Sequence, residues 1–115
     1  MKIRTKRVYE APARADGRRI LVDRIWPRGV SKEKAAVDYW SKDTSPSTEL
    51  RKWYQHDHDK WEEFKARYFA ELDGAPDAVE ALRAALGQGT NTLVFGSKET
   101  ELNNATALKL YLESR

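Results

Sequence analysis

Hydrophobic and polar positions change period several times along the chain. From Ile3 to Tyr9, β-branched and aromatic residues are mixed with charges, the pattern of an edge strand. Pro12 and the Asp16-Gly17 pair mark Ala11 to Gly17 as a loop. Arg18 to Trp26 is the clearest strand, because Ile20-Leu21-Val22 is continuously apolar, as strands covered on both faces are. Pro27 ends it, since proline offers the sheet no N–H. Ser31 is placed to cap a short helix running to about Tyr39, and a second helix is expected from Pro46 or Ser47 to Tyr54. Asp57 caps the longest helix, where Trp61, Phe64, Tyr68 and Leu72 recur at helical spacing. Gly74 is expected to close it in a left-handed conformation. Pro76 opens a further helix with Val79, Leu82 and Leu86 on one face. Thr92 to Phe95 reads as a short buried strand, and a last helix after Lys98 turns Leu102, Ala105, Leu108 and Leu112 inward.

The resulting order is two strands, four helices, a strand and a helix. A strand that rejoins its sheet through helices tends to lie parallel. The expected fold class is therefore α/β: a small, mostly parallel sheet of about three strands with about five packed helices, in one domain over residues 1–115.

Composition agrees with a folded chain, at 40% hydrophobic and 34% charged residues. The zero cysteine count excludes disulfide scaffolds, zinc-thiolate sites and cysteine nucleophiles, and fits a cytoplasmic location. No apolar run approaches the roughly 18 residues of a membrane span, and the basic N-terminus has no apolar stretch behind it to make a signal peptide. The net charge of +3 conceals an uneven distribution: residues 1–34 balance to +7 and residues 35–115 to −4. A basic segment on an acidic body favours an anionic partner, either a small ligand or a nucleic acid.

In open α/β sheets, ligands gather beyond the carboxyl ends of parallel strands. Two strand exits carry suitable residues, Asp23 to Gly29 and Gly96-Ser97-Lys98. If these strands are parallel neighbours, Arg28 and Lys98 point into one crevice. Helix starts near Ser31 and Thr100 would add positive dipole ends. Arg24, Arg28, Arg51, Ser47, Ser97 and Lys98 are the candidate anion ligands, and Trp26 at the mouth is a candidate wall or stacking surface. Asp23, Glu49 and His56 are the candidate orienting or proton-transfer groups. The competing reading makes these charges structural pairs, with Arg24 held by Asp23 or Glu49. His56-Asp57-His58-Asp59 is not expected to bind metal, because alternating residues before a helix cannot converge on one ion, and no cofactor is expected.

The stretches Val22-Asp23-Arg24-Ile25-Trp26-Pro27-Arg28-Gly29 and Pro46-Ser47-Thr48-Glu49-Leu50-Arg51-Lys52, with the Lys98 segment, resemble domain-of-unknown-function family 488, in its short YeaO-like branch. The similarity spans nearly the whole chain. It implies a small bacterial α/β protein of unestablished reaction, with signature polar positions on Asp23, Arg24, Arg28, Lys42, Ser47, Glu49, Arg51, His56 and Lys98. Two departures stand out. An Asn-His pair usual in the last helix is Asn103-Asn104 here, which removes any histidine base at that position, and the proline usual after Asp57 is His58. Three functions follow as expectations: a pocket for a small anionic metabolite or nucleotide, catalytic or not; a nucleic-acid-binding module; or a structural or partner-binding domain.

Overall fold

The computed structural model describes residues 1–115. Four strands, β1 (Lys2–Arg7), β2 (Arg18–Leu21), β3 (Tyr39–Trp40) and β4 (Thr90–Phe95), form one sheet in the order β1-β4-β2-β3, and every pair is parallel. The helices are α1 (Lys32–Ala35), α2 (Thr48–Tyr54), α3 (Trp61–Asp73), α4 (Pro76–Ala85) and α5 (Asn104–Ser114).

The α/β class and the parallel sheet are as the sequence predicts, with one more strand than expected. Strand β3 comprises two residues, too few to show a period of their own, and lies where the short helix was expected to continue. Helix α1 stops after four residues because Ala36 turns into the left-handed region at φ 49°. Strand β2 ends at Leu21 instead of Trp26: Val22 still donates to the Val94 carbonyl, but β4 itself ends at Phe95 and the chain turns away. Gly74 is not left-handed, with φ −84°, and its N–H simply continues the bonding of α3 to the Ala70 carbonyl.

Successive strand residues face opposite sides of the sheet. Ile3, Ile20, Val22, Leu93 and Phe95 join the inner faces of α2 to α5 in the main core, which includes Phe64, Tyr68, Leu72, Leu82 and Leu108. Residues one step away, Val8, Leu21 and Val94, pack with Ala35 in a smaller core beneath Trp26, Val30, Val37 and Trp40. Such two-sided burial is why the runs Ile20-Leu21-Val22 and Leu93-Val94-Phe95 are apolar without alternation.

The same outer side also carries charge. Asp16 is buried between Lys6, at 3.1 Å, and Arg19, at 2.7 Å, and its backbone carbonyl accepts the Thr92 hydroxyl at 2.7 Å. Burial pushes the Asp16 carboxyl up. Hydrogen bonds from the Ala13 N–H, Lys6 and Arg19 together outweigh it and hold the group below its ordinary value. Gly17 completes the turn at φ 62°, where a Cβ would stand 2.0 Å from the Thr90 carbonyl oxygen, so only glycine fits. Because Arg19 is itself buried, Asp16→Asn leaves an uncompensated guanidinium and is expected to cost about 3 kcal/mol or more in urea unfolding. A carboxyl with a lowered folded pKa contributes its stability above its unfolded value of 3.8 and loses it as pH falls, so the gap between wild type and variant narrows in acid. A loss below about 1 kcal/mol at neutral pH would show that the triad is not a structural support.

Candidate functional site

All strand carboxyl ends lie on one edge of the sheet, and a cleft of ≈ 640 Å³ opens there. Asp23, Arg24 and Ile25 enter it from the exit of β2, and Gly96 and Ser97 from the exit of β4. Ser45 comes from the segment before α2, Thr48, Arg51 and Lys52 from α2 itself, Gln55 and His56 from the turn after it, and Asn104 from the first turn of α5. Tyr54 and Phe64, with ring centroids 4.2 Å apart, bring the main core to its wall.

Asp23 joins the two strand exits. Its Oδ2 accepts the Gly96 N–H at 2.8 Å and its Oδ1 accepts the Asn104 amide at 3.2 Å. The same amide nitrogen donates to the Val22 carbonyl at 3.1 Å, and the Trp40 indole N–H donates to the Asp23 carbonyl at 2.7 Å. Glycine at position 96 permits the approach, since a Cβ there would lie 3.2 Å from Asp23 Oδ2. Burial pushes the Asp23 carboxyl above its ordinary value; the Gly96 N–H, Asn104 and the positive charge of Arg51 oppose this without cancelling it.

The loop from Gly96 to Asn103 is held from outside by Arg7 and His58 and from within by Glu99. Arg7, at the end of β1, donates to the Ser97 carbonyl at 2.9 Å. Glu99 accepts the N–H groups of Glu101 and Leu102 and pairs with His58 at 2.8 Å; the backbone bond from Glu101, then the His58 contact, lower its pKa to about 2. Across the cleft, Gln55 at φ 48° and His56 at φ 56° both adopt left-handed backbone, which is costly for residues with a Cβ. That turn places His56 Nε2 at 3.5 Å from Ser97 Oγ, longer than a well-formed hydrogen bond.

Of the residues singled out from sequence, Asp23, Arg24, Arg51, His56 and Ser97 converge on the cleft. Arg24 donates to the Ser45 carbonyl at 3.2 Å, and neither Arg24 nor Arg51 is in an ion pair, so the pairings of Arg24 with Asp23 or Glu49 are absent. Arg28 and Lys98 do not share the crevice: both are exposed and neither lines it. The segment after Ile25 folds toward the smaller core, where the Tyr9 hydroxyl holds the Arg28 carbonyl at 2.9 Å. Trp26 goes with it, edge-on to Trp40 and bonded to the Val30 carbonyl, so it packs instead of forming the mouth. Ser47 is occupied as the cap of α2, accepting the Leu50 N–H and donating to Glu71. Glu49 is exposed on α2 with no bonded partner. Helix α1, at four residues, is too short for the dipole expected at Ser31, and α5 starts at Asn104 instead of near Thr100.

Gln55 and Arg7 are contributors that sequence reasoning missed, and Asn104 stood out there only as the residue replacing a histidine of relatives. The available signal was position: Asn104 and Arg7 sit at element ends on the strands' carboxyl edge. No three His, Asp or Glu side chains gather where they could hold a metal ion. Much of the N-terminal charge is engaged internally: Arg4 on the Ala15 carbonyl, Lys6 and Arg19 on Asp16, Arg7 on Ser97 and Arg18 on the Ala85 carbonyl. No helix is long and apolar enough to cross a membrane.

Fold and cleft together define a small parallel α/β protein with a polar crevice at the strand ends. The chain belongs to domain-of-unknown-function family 488: the family model described as the inactive DUF488-N3 subclade matches residues 2–115. It is 40% identical over 114 residues to the uncharacterized protein YeaO of Escherichia coli, covering 99% of both chains. It is equally 40% identical to the uncharacterized protein Rv3073c of Mycobacterium tuberculosis, covering 99% of this chain and 96% of that one. No solved structure matches the chain significantly.

The state of Asp23 yields a prediction. A carboxyl with a raised folded pKa favours folding while protonated, fully so below its unfolded value of 3.8, and loses that contribution as pH rises through the folded pKa. Asp23→Asn turns an NH2 toward either the Gly96 N–H or the Asn104 amide, so it loses one bond at every pH. Its melting deficit against wild type is therefore expected to be smaller near pH 7 than near pH 3. A deficit that grows from pH 3 to pH 7 would show Asp23 to be a stabilising charge.

Proposed function

We propose that the cleft binds a small anionic metabolite, phosphorylated or carboxylated, and retains it without chemical turnover. The observation that carries this is the presence of Arg24 and Arg51 in one cleft with no carboxylate paired to either. Guanidinium groups match the geometry of phosphate and carboxylate, and those free of an acidic partner remain available to one. Lys52, the Ser97 hydroxyl and the start of α5 add donors and positive potential on the same edge.

Two features favour binding over catalysis. Glu49, one of the candidate proton-transfer groups, stands outside the cleft. The subclade's own description as inactive agrees. The cytoplasm is the expected compartment.

Binding to the native state raises thermal stability, so melting curves with inorganic phosphate, sulfate, ribose 5-phosphate and adenosine monophosphate test the reading. At least one phosphorylated compound is expected to raise the midpoint. Both arginines are exposed, so Arg24→Ala and Arg51→Ala are expected to fold normally and to weaken binding by about tenfold or more each, as loss of a charged hydrogen bond does. Unchanged midpoints across the panel, or full affinity in both variants, would reject the proposal.

A further inference from the structure

The cleft has acceptors as well as cations. An ionised carboxylate has about four lone-pair positions. Within the protein Asp23 spends one on the Gly96 N–H and one on Asn104, leaving acceptor capacity on a group that lines the cleft. Both N–H bonds of the Asn104 amide go to acceptors, the Val22 carbonyl and Asp23 Oδ1, which forces the orientation of that amide. Its carbonyl oxygen then has no donor in the protein, and Asn104 also lines the cleft. Asp23 and Asn104 therefore make a neighbouring pair of acceptors tied to the strand ends, while Arg24, Arg51 and Lys52 supply cations from the segment after β2 and from α2. An inorganic anion satisfies the cations alone and is disfavoured by the Asp23 charge. The ≈ 640 Å³ volume is also that of a site for an organic molecule.

We infer that Asp23 and Asn104 are specificity-determining residues that accept hydrogen bonds from ligand hydroxyls, so that the cleft selects a polyhydroxylated phosphate monoester of the sugar-phosphate class. This rests on the anion-binding reading above and adds the neutral half of the ligand. The anionic end lies with the arginines, and the hydroxyl-bearing end with the acceptor pair.

Ribose 5-phosphate and n-pentyl phosphate share carbon count and anionic group and differ in their hydroxyls. Titration calorimetry on the full chain is expected to show ribose 5-phosphate binding about tenfold tighter or more, the ratio one hydrogen bond to a charged acceptor supplies. Asp23→Asn is expected to shrink that ratio while leaving n-pentyl phosphate bound as tightly or more so, and Asn104→Ala to shrink it as well, the two effects being coupled through the bond between these side chains. Melting curves confirm that each variant is folded. Equal binding of the two compounds to the wild-type protein, or an undiminished ratio in both variants, overturns the selectivity and leaves anion binding standing. Binding of neither compound, with no response to inorganic phosphate, removes both.

Discussion

Strand β4 is hydrogen-bonded along both edges, to β1 on one side and β2 on the other, and both pairings are parallel. All the strands consequently finish on the same edge, and every connection between them must leave from that edge. Where β4 stops at Phe95, the next backbone N–H, that of Gly96, has no strand to bond and turns instead to the Asp23 carboxylate just beyond β2. The cleft is what remains between the departing segments. Its two strand-derived walls are joined by that single bond, with Asn104 at the start of α5 bracing both Asp23 and the Val22 carbonyl.

Two aspartates show how the same fold treats charge in opposite ways. Burial is the largest influence on both and raises both. Asp16 meets two cations within hydrogen-bond reach, so its charge is compensated and its carboxyl falls below the ordinary value. Asp23 meets neutral amides at close range and Arg51 only as a more distant charge, so its carboxyl stays above it. The first arrangement locks the loop before β2 onto the sheet. The second leaves a charge poorly compensated beside a cleft, which is the electrostatic character of ligand sites.

Around Asp23 the surroundings are stiff. Trp40 holds its carbonyl, Arg7 holds the loop after β4, and the Tyr54 hydroxyl reaches the Leu102 carbonyl at 2.8 Å. The left-handed pair Gln55-His56 is the strained element in this frame, and it too lines the cleft. Preformed donors and acceptors of this kind suit selective binding, because little conformational freedom is lost when a ligand arrives.

By itself the sequence determined what depends on local pattern. The apolar runs at Ile20-Leu21-Val22 and Leu93-Val94-Phe95 announced strands covered on both faces, the Trp61-Phe64-Tyr68-Leu72 spacing announced α3, and the β-to-helix-to-β order announced a parallel α/β sheet. Arg24, Arg51, Asp23, His56 and Ser97 were legible as candidates because polar residues after a strand or helix end fall on the functional edge of such sheets. Only the tertiary structure separated them from Arg28, Lys98, Ser47, Glu49 and Trp26. That choice turns on where the chain bends after Ile25, on which hydroxyl Glu71 captures, and on the two-residue strand β3 that brings Trp40 to Asp23. These are contacts between segments 17 to 24 residues apart, and the direction of a side chain after a strand ends is set by such contacts, not by the local periodicity from which the elements themselves can be read.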